Sequence, residues 1–468
     1  MSDDFDLVVL GAGPAGEKGA AQAAYFGKRV AIVEREPMPG GAAVHTGTLP
    51  SKTLRETALF LSGYRQRDLY GVTVDIEPHL AVGRLIARKN AVRELETARI
   101  VRNLDRHGIE QVRGDACFVD AHTVEVAGRS ERRRLSTQVA LIATGSSPFR
   151  PAGIPHDDPD VHDSDAFLGI DHLPDSLTVL GGGVIGCEYA SVFAALGVDV
   201  HLVDPRPRLL PFLDLEMGER LREAMLAHGI TFHLNERAER VERLPGRGVV
   251  VRLTSGTELA ADKLLVAAGR KGNTASLGLE TIGAKVDERG YVVVDTHFRS
   301  TVPSVLAAGD VIGFPALASV SMEQARVAVC QAFGFAYKQR VSSLLPFGVY
   351  TIPEVSCVGL SEQDAAREGI GVIVGRAFFR DNARGQIVGD RDGMVKLIFD
   401  RATRALVGCH CIGERASELV HVGQAVIALG GTVETLIEMV FNFPTLSEAY
   451  KYAAYDALAT FDPGPVPG

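Results

Sequence analysis

Two glycine-rich turns are the residues in this chain most able to do chemistry. Each follows an apolar strand, "LVVL" in the first case and "LTVL" in the second, and each opens a helix of small residues. The spacing GxGxxG permits a tight turn and brings backbone N–H groups and a helix N-terminus close to a pyrophosphate. The glycines concerned are Gly11, Gly13 and Gly16 in the first turn, and Gly181, Gly183 and Gly186 in the second.

An acidic residue closes the second strand of each of these units. Glu34 ends "RVAIVE" and Asp204 ends "DVHLVD". A carboxylate at this position can accept hydrogen bonds from ribose hydroxyls. Two complete strand–helix–strand units in one chain therefore predict two bound dinucleotides, one of which passes electrons to the other.

Three later segments are also apolar strands that are followed directly by a glycine. "VALIATGSSPFRP", "DKLLVAAGRKGNT" and "SVLAAGDVIGFPALA" are of this kind, and the last places Asp310 just after Gly309. The Asp310 carboxylate could bind the polar chain that links an isoalloxazine ring to its pyrophosphate. The alternative for a Gly-Asp pair after a strand is an ordinary turn.

The chain that must position these residues is too long for one compact core, so its 468 residues are expected to form several domains. The predicted fold class is α/β, with two Rossmann-like dinucleotide-binding domains and a C-terminal module of strands followed by helices. The predicted segments are residues 1–150 for the first domain, with a long polar helix near 80–103, residues 151–275 for the inserted second domain, residues 276–342 for the return to the first, residues 343–462 for the C-terminal α+β module, and residues 463–468 for a disordered tail.

Charge and composition exclude several classes of protein. A net charge of −9 disfavours nucleic-acid binding, and Arg132 to Arg134 are interpreted as a solvated hairpin end. No apolar run approaches the roughly 18 to 20 residues of a membrane-spanning helix. The acidic start "MSDDFD" is not expected to be a signal peptide.

The cysteines indicate the cellular compartment of the protein rather than a catalytic or metal-binding site. None of the six lies in a CxxC pair, which favours a reducing cytoplasm with mostly buried thiols. Cys409, His410 and Cys411 could suggest a metal site. Alternate residues of a strand face opposite sides, however, so we expect no metal there.

Taken together, these motifs resemble those of the two-dinucleotide-binding flavoprotein disulfide reductases, over about residues 4–460. Within that superfamily the chain is most similar to the soluble (Si-specific) pyridine nucleotide transhydrogenases. The resemblance rests on both glycine turns, on "ATG", "GD" and "PSK", and on the stretches "TIPEVSCVG", "ERASELVHVGQAV" and "FNFPTLSEAY".

The resemblance implies two cofactor sites, a catalytic pair and a homodimer or larger homo-oligomer formed through the C-terminal domain. Lys52 and Glu188 would pair beside flavin N5, with Val184 over the ring; an ordinary surface ion pair is the alternative reading. The residues implied to bind FAD are Gly11, Gly13, Gly16, Glu34, Gly41, Thr48, Gly145, Asp310 and Ala318. Those implied to bind NAD or NADP are Gly181, Gly183, Gly186, Asp204, Arg206, Arg208 and Gly269.

Departures from the family pattern narrow the expected reaction. The redox disulfide maps onto Ala43 and Thr48, and the catalytic histidine maps onto Phe443, although Glu448 remains. Without thiols, disulfide exchange is chemically unavailable. The expected activity is hydride transfer between NADPH and NAD⁺ through flavin N5. One alternative is an NAD(P)H:quinone reductase, in which Phe443 could line an apolar slot for the quinone. Another is a non-catalytic flavin-binding protein.

Two further expectations concern the loop around the missing thiols. Thr48 is suited to cap the helix that contains Pro50, whose N-terminal partial charge could stabilise negative charge on a flavin. His45 lies in the same loop, where either packing or a chemical role is possible.

The sequence contains residues that favour NAD and residues that favour NADP at the second glycine turn. Asp204 favours the free ribose hydroxyls of NAD. Arg206 and Arg208 could bind the 2′-phosphate of NADP, since guanidinium groups bind phosphate bidentately; solvated loop charges are the alternative. We predict mixed specificity.

Overall fold

The structure is a computed structural model that describes residues 3–63, 69–71, 78–129, 131–244, 246 and 248–461. The tail predicted at 463–468 lies outside the described residues. The described helices, numbered in chain order, are α1 Pro14–Tyr25, α2 Gly41–His45, α3 Thr48–Leu61, α4 Pro78–Arg106, α5 Val184–Ala195, α6 Leu215–Ala227, α7 Leu279–Ile282, α8 Ala318–Phe333, α9 Glu362–Arg367, α10 Ala383–Val388, α11 Ala416–Ala428, α12 Val433–Glu438 and α13 Ala449–Phe461.

The described strands fall into several separate sheets. In the same numbering they are β1 Asp3–Leu10, β2 Val30–Glu34, β3 Glu110–Arg113, β4 Asp115–Asp120, β5 Thr123–Ala127, β6 Arg132–Ile142, β7 Ser146–Pro148, β8 Val161–Asp163, β9 Ser176–Leu180, β10 Asp199–Asp204, β11 Ile230–Leu234, β12 Ala238–Arg243, β13 Val249–Leu253, β14 Glu258–Ala261, β15 Lys263–Val266, β16 Arg270–Gly272, β17 Val305–Ala307, β18 Phe347–Val349, β19 Val355–Gly359, β20 Val372–Phe378, β21 Met394–Asp400 and β22 Leu406–Ile412.

The first sheet has the order β3-β2-β1-β6-β5-β4, and β17 lies beside β6. The strands β1, β2, β3, β6 and β17 run parallel to one another, whereas β5 pairs antiparallel with both β4 and β6. The central strand β1 is buried on both faces, which explains its uninterrupted apolar sequence. Its end Leu10 is in register with Ile142, as is Ala307 of β17. The late strand β17 therefore returns the chain to the first glycine turn.

The second sheet repeats this parallel arrangement in the order β11-β10-β9-β15-β8. A separate antiparallel meander, β12-β13-β14, packs its apolar side chains against it through Val249 and Val251. The short antiparallel pair β7–β16 links the strands that leave the two parallel sheets. The carboxyl ends of β9 and β15 are in register at Leu180 and Val266, and the second glycine turn follows the first of these.

The C-terminal module is an antiparallel sheet of order β18-β19-β22-β21-β20, with α11 and α13 packed in one apolar core against it. Tyr450 of α13 is completely buried in that core and donates its hydroxyl to the carbonyl of Leu419 in α11. The α/β fold class with two dinucleotide-binding units and an α+β module is thereby confirmed.

Two local predictions are also confirmed. The polar helix expected near 80–103 is α4, which spans Pro78–Arg106. The basic run opens β6 in an antiparallel hairpin with β5, where Arg132 and Arg134 both pair with Glu125 in solvent. No helix in the described part of the chain combines the length and apolar character needed to cross a bilayer.

Candidate active site

The two glycine turns have the same backbone geometry. Helix α1 begins at Pro14 and α5 begins at Val184, each directly after the middle glycine of its turn. A methyl group on the third glycine of either turn would overlap the carbonyl oxygen of the first, which explains why that position holds glycine. The middle glycine of the second turn, Gly183, faces open space, so its backbone is free to approach a phosphate.

The Glu34 carboxylate lies beside the first turn, where it accepts two backbone hydrogen bonds and can accept others from a ligand. Its Oε2 accepts a hydrogen bond from Ala12 N at 2.8 Å, and Oε1 accepts one from Glu36 N at 3.0 Å. The side chain is half-buried at the end of β2. These bonds fix the carboxylate near the phosphate turn, where the sequence placed a ribose acceptor.

The loop that carries Gly40 and Gly41 is in contact with the same turn. Gly40 N donates to the carbonyl of Ala12 at 2.8 Å. A side chain on Gly41 would come within 2.8 Å of Gly13 Cα. The chain therefore brings Gly13 and Gly41 together as the predicted FAD site requires.

Asp310 and Ala318 reach this site from the return segment. Gly309, which precedes Asp310, packs so closely that a Cβ there would lie 3.1 Å from Ala15 at the start of α1. Asp310 opens a short 3₁₀ turn, and Ala318 is the first residue of α8. Both therefore lie on the segment that the fold returns to the first turn.

A polar network holds Asp310, and sequence reasoning missed its members. Ser146 donates its hydroxyl to Asp310 Oδ2 at 3.2 Å, and Arg270 Nε donates to Ser146 Oγ at 2.8 Å. Burial raises the pKa of Asp310, against the opposing charge of Arg270 and the hydroxyl hydrogen bonds. Gly145, adjacent to Ser146, has a positive φ and open space at its Cβ position. The signal that could have revealed the network is the antiparallel pairing of the "SSP" and "RKG" segments.

The structure brings Lys52 and Glu188 together across the two units. Lys52 Nζ lies 2.8 Å from Oε1 and 2.7 Å from Oε2 of Glu188. Lys52 is in α3, which follows the first unit, and Glu188 is in the first turns of α5, which opens the second. The side chains are 25% and 7% exposed, respectively. Only limited screening by water is possible at such a pair, so its charges act strongly on a neighbour.

Tyr350 is a third participant that the sequence did not single out. Its backbone N–H donates to Glu188 Oε1 at 2.9 Å, and its ring lies 4.7 Å from Lys52 Nζ. Tyr350 follows β18 of the C-terminal module. The ion pair is therefore fixed by all three parts of the fold, which a local sequence pattern could not show.

Asp204 is the most deeply buried of the predicted nucleotide-binding acids. The Arg206 guanidinium donates to both of its oxygens, through Nε at 2.8 Å and Nη2 at 2.7 Å. The backbone N–H groups of Gly182 and Arg206 donate to the same carboxylate. Burial alone would raise the pKa of Asp204, but the hydrogen bonds from Arg206 and Gly182 hold it below its ordinary value.

Three further predicted residues belong to this unit. The Arg208 guanidinium donates to the Pro211 carbonyl at 2.5 Å, and the side chain is half-buried. Gly269 follows β15 with a positive φ, and its carbonyl accepts a hydrogen bond from Phe149 N at 2.9 Å. Val184 is the first residue of α5, next to the open face of Gly183.

The expectation that Thr48 caps a helix is wrong. Helix α3 begins with Thr48 itself, and Gly47 occupies the capping position. The loop before it is already helical as α2, so the chain turns at Thr46 and Gly47 rather than at Thr48. The positions mapped to the redox disulfide therefore lie in two successive helices, Ala43 in α2 and Thr48 in α3. Neither residue contains sulfur.

His45 is occupied with a structural contact. Its Nε2 lies 2.9 Å from the Pro39 carbonyl, to which it can donate. The same nitrogen limits the space at Gly40, where a Cβ would come within 3.2 Å. His45 therefore stabilises the Gly40–Gly41 loop against the first turn, which supports the packing alternative.

Phe443 lies on the surface of the described part of the chain. Its ring is 74% exposed, in a loop between α12 and the 3₁₀ turn that contains Glu448. Val440 and Leu429 of the same module are likewise almost fully exposed. Such a set of solvated apolar side chains marks an interaction surface.

Cys409, His410 and Cys411 have partners within the protein. Cys409 Sγ contacts the Tyr450 hydroxyl at 3.2 Å, while His410 faces the other side of β22 and bonds the Leu360 carbonyl. Among the described residues, a separate carboxylate cluster brings Asp214, Glu216 and Glu362 within 4.8 Å of one another. The ammonium of Lys396 already lies 2.7, 3.1 and 2.5 Å, respectively, from their oxygens.

Comparisons with known proteins agree with this arrangement. Residues 5–332 match the family described as pyridine nucleotide-disulphide oxidoreductase, and residues 345–454 match its dimerisation domain. A soluble pyridine nucleotide transhydrogenase of Mycobacterium bovis is 44% identical over 457 residues, 97% of each chain. One from Colwellia psychrerythraea is 40% identical over 98% of each chain.

A solved structure extends the similarity to three dimensions. The HOCl-induced flavoprotein disulfide reductase RclA from Escherichia coli superposes with a TM-score of 0.86 at 29% sequence identity. The match covers 95% of this chain and 98% of that one. The similarity therefore includes both dinucleotide-binding units and the C-terminal module.

Proposed function

Because the chain belongs to the pyridine nucleotide-disulphide oxidoreductase family, we propose that it is an FAD-dependent enzyme that transfers hydride between NADPH and NAD⁺. The observation that carries this proposal is the Lys52–Glu188 pair, which joins the two dinucleotide-binding units in a site without thiols. The curated relatives named soluble pyridine nucleotide transhydrogenase support it over nearly the whole chain.

The residues of the first unit fit FAD. The close packing of the glycine turn leaves its backbone N–H groups and the start of α1 available to a pyrophosphate. Glu34 is anchored by two backbone donors and keeps lone pairs for ribose hydroxyls. Asp310, held through Ser146, is placed to bind the polar chain between ring and pyrophosphate. When bound, FAD would supply a ring whose N5 position can take hydride from one nicotinamide and give it to another.

The second unit receives the nicotinamide dinucleotide. The open face of Gly183 admits the pyrophosphate at the start of α5. Glu188 lies in the same helix, one turn further along, so the nucleotide site and the ion pair share one rigid element. The Lys52 ammonium provides a positive charge where the two units meet, and its position is fixed by Glu188, which also accepts the Tyr350 N–H. Preorganised charge of this kind stabilises a charge-shifting transition state.

The absence of sulfur at Ala43 and Thr48 decides between reaction classes. A disulfide reductase passes electrons from flavin to a thiol pair, and neither position can provide one. A second nicotinamide at the same site requires no additional group. The two half-reactions then follow one another in a ping-pong sequence.

An NAD(P)H:quinone reductase is the alternative function, because it too needs no thiol. The exposed ring of Phe443 favours it only if a partner subunit brings that ring to the flavin. Steady-state transfer from NADPH to thio-NAD⁺ without quinone separates the two. A transhydrogenase turns over in this assay, whereas a quinone reductase is active only when quinone is added.

The assembly and location follow the same proposal. The match to a dimerisation domain and the exposed residues Leu429, Val440 and Phe443 support a homodimer or larger homo-oligomer formed through the C-terminal module. The cytoplasm is the proposed compartment, because the six cysteines of the described chain are free thiols.

A further inference from the structure

The Asp204 carboxylate has four donors and almost no contact with solvent. Oδ1 accepts from the backbone N–H and Nε of Arg206, while Oδ2 accepts from Gly182 N and from Arg206 Nη2. The Asp204 side chain is 1% exposed, whereas that of Arg206 is 42% exposed. In this arrangement the carboxylate is not accessible to a ribose hydroxyl, and the guanidinium is.

The first unit provides an internal comparison. Glu34 accepts backbone hydrogen bonds from Ala12 and Glu36, the residues equivalent to Gly182 and Arg206. The residue at the Arg206 position is thus Glu36, which carries no positive charge and cannot close over Glu34. Two turns with the same backbone geometry therefore differ in whether their acid is open or covered.

We propose that the Asp204–Arg206 ion pair is a specificity switch for the adenosine ribose of the nicotinamide substrate. In its closed form, the outer face of the guanidinium binds a 2′-phosphate. In its open form, Arg206 swings into solvent and Asp204 accepts the 2′- and 3′-hydroxyls of an unphosphorylated ribose. This inference rests on the proposed function in taking the second unit as the site for both nicotinamides.

The charges of the pair determine which ligand each form selects. A bare Asp204 carboxylate would repel a 2′-phosphate, and the paired guanidinium both neutralises it and contributes N–H donors to the phosphate oxygens. An unphosphorylated ribose gains little from the guanidinium and must first displace it from Asp204. The resting structure is therefore organised for NADPH, and NADH binds at the cost of opening the pair.

The test uses the FAD-loaded, full-length protein and two fragments without nicotinamide, adenosine 2′,5′-bisphosphate and ADP. Calorimetric titration gives the dissociation constant of each for the native protein and for Arg206→Gln. Removal of the guanidinium should weaken the bisphosphate about tenfold or more, the effect of one lost charge-assisted bidentate contact. The same substitution should tighten ADP, because Asp204 becomes accessible without an opening step.

Matched variants make the reciprocal change specific to the switch. Arg222→Gln removes a guanidinium of the same unit that pairs with Glu219 and not with Asp204, so it should leave the affinities for both fragments unchanged. Arg206→Lys keeps a positive charge without the bidentate fork, so it should tighten ADP while it retains more bisphosphate affinity than Arg206→Gln.

An ADP affinity that is unchanged or weaker in both Arg206 variants would overturn the switch, as would an unchanged affinity for the bisphosphate in Arg206→Gln. Because neither fragment carries a nicotinamide, these results do not depend on hydride transfer. Failure of the transhydrogenase assay with normal reciprocal binding would reject the proposed function and leave the switch intact.

Discussion

Lys52 donates to both carboxylate oxygens of Glu188, at 2.8 and 2.7 Å, and so connects the helix after one dinucleotide-binding unit to the helix that opens the other. Surface ion pairs usually contribute little. This one is largely enclosed, is bonded by Tyr350 N and lies where the two predicted cofactors would meet. Its position at the boundary between the units is the structural reason to expect a chemical role.

Replacement of this pair should slow the chemical step without loss of the flavin. Lys52→Met removes the positive charge and should lower the rate of flavin reduction by NADPH by roughly 10²-fold, the usual effect of deleting one preorganised charged or hydrogen-bonding group. Anaerobic stopped-flow measurement of flavin absorbance gives the rate. Arg222→Gln, which breaks an exposed pair with Glu219 in the second unit, is the control and should leave the rate unchanged. An unaffected rate in Lys52→Met would reduce the pair to a structural contact.

Two glycines of the second turn should respond differently to alanine. Gly183→Ala adds a methyl group to open space and should fold normally, but the methyl obstructs the pyrophosphate and raises the KM for NADPH and NADH together. In Gly186→Ala the methyl overlaps the Gly181 carbonyl, so the protein should be destabilised as a whole. Thermal melting and steady-state kinetics distinguish the two. Normal KM values in a folded Gly183→Ala protein would contradict the placement of the phosphate.

Thiol reagents should leave activity unchanged. Cys117 is the exposed cysteine of the six, and burial raises the pKa of Cys357 to about 12, which makes its thiolate scarce. Incubation of the folded, NADPH-reduced protein with N-ethylmaleimide should modify Cys117 alone by mass spectrometry and preserve hydride transfer. Inactivation by the reagent, or NADPH-dependent reduction of lipoamide or glutathione disulfide, would reveal a catalytic thiol that the structure does not place at the site.

The buried Lys396 should be required for stability. Its ammonium is fully enclosed and bonds Asp214, which is also fully enclosed, so the pair ties β21 to the start of α6 in the second unit. Lys396→Met should cost about 3–5 kcal/mol in the free energy of unfolding, because it leaves a buried charge without a partner. Arg376→Gln removes a partly exposed partner of Glu216 and should cost less than about 1 kcal/mol. Urea denaturation of the two variants provides the comparison.

The same cluster predicts how stability depends on acid. Burial opposes ionisation of Asp214 and Glu216, but hydrogen bonds and charge from Lys396 hold the pKa of each carboxyl below its ordinary value. A lowered pKa in the folded state gives stability that is complete above the ordinary range and lost as pH falls through the folded value. Native protein should therefore lose stability below about pH 4. In Lys396→Met this acid-dependent loss should be smaller; an identical pH profile would show that other carboxyls dominate.

The fold class could be predicted from the sequence because each glycine turn has an apolar strand before it and another after its helix. The length and apolar pattern of these strands are compatible with few other folds. The family and its expected activity follow from motifs that are contiguous in the chain. By contrast, the meander β12-β13-β14 and the strand β20 were not predicted, because their alternating polar and apolar residues give a weaker signal than a buried parallel strand.

Contacts between distant segments could be predicted only where the family resemblance implied them, as it did for Lys52 and Glu188. Lys396, Asp214 and Glu362 come from three parts of the chain, and no local pattern relates them. The closure of Arg206 over Asp204 depends on side-chain rotamers, although the two residues are neighbours in sequence. Thr48 was assigned as a cap from residue type alone, and the preceding short helix shifted the capping position to Gly47. The domain boundaries and the cofactor roles of the individual site residues remain predictions.

The most direct test of the account is a two-step anaerobic mixing experiment with the FAD-loaded protein. Addition of one equivalent of NADPH should bleach the flavin, and subsequent addition of NAD⁺ should restore its absorbance with formation of an equal amount of NADH. Steady-state data with NADPH and thio-NAD⁺ should then give parallel double-reciprocal lines. If NADPH bleaches the flavin and NAD⁺ fails to restore it, while a quinone does, the protein is not a transhydrogenase.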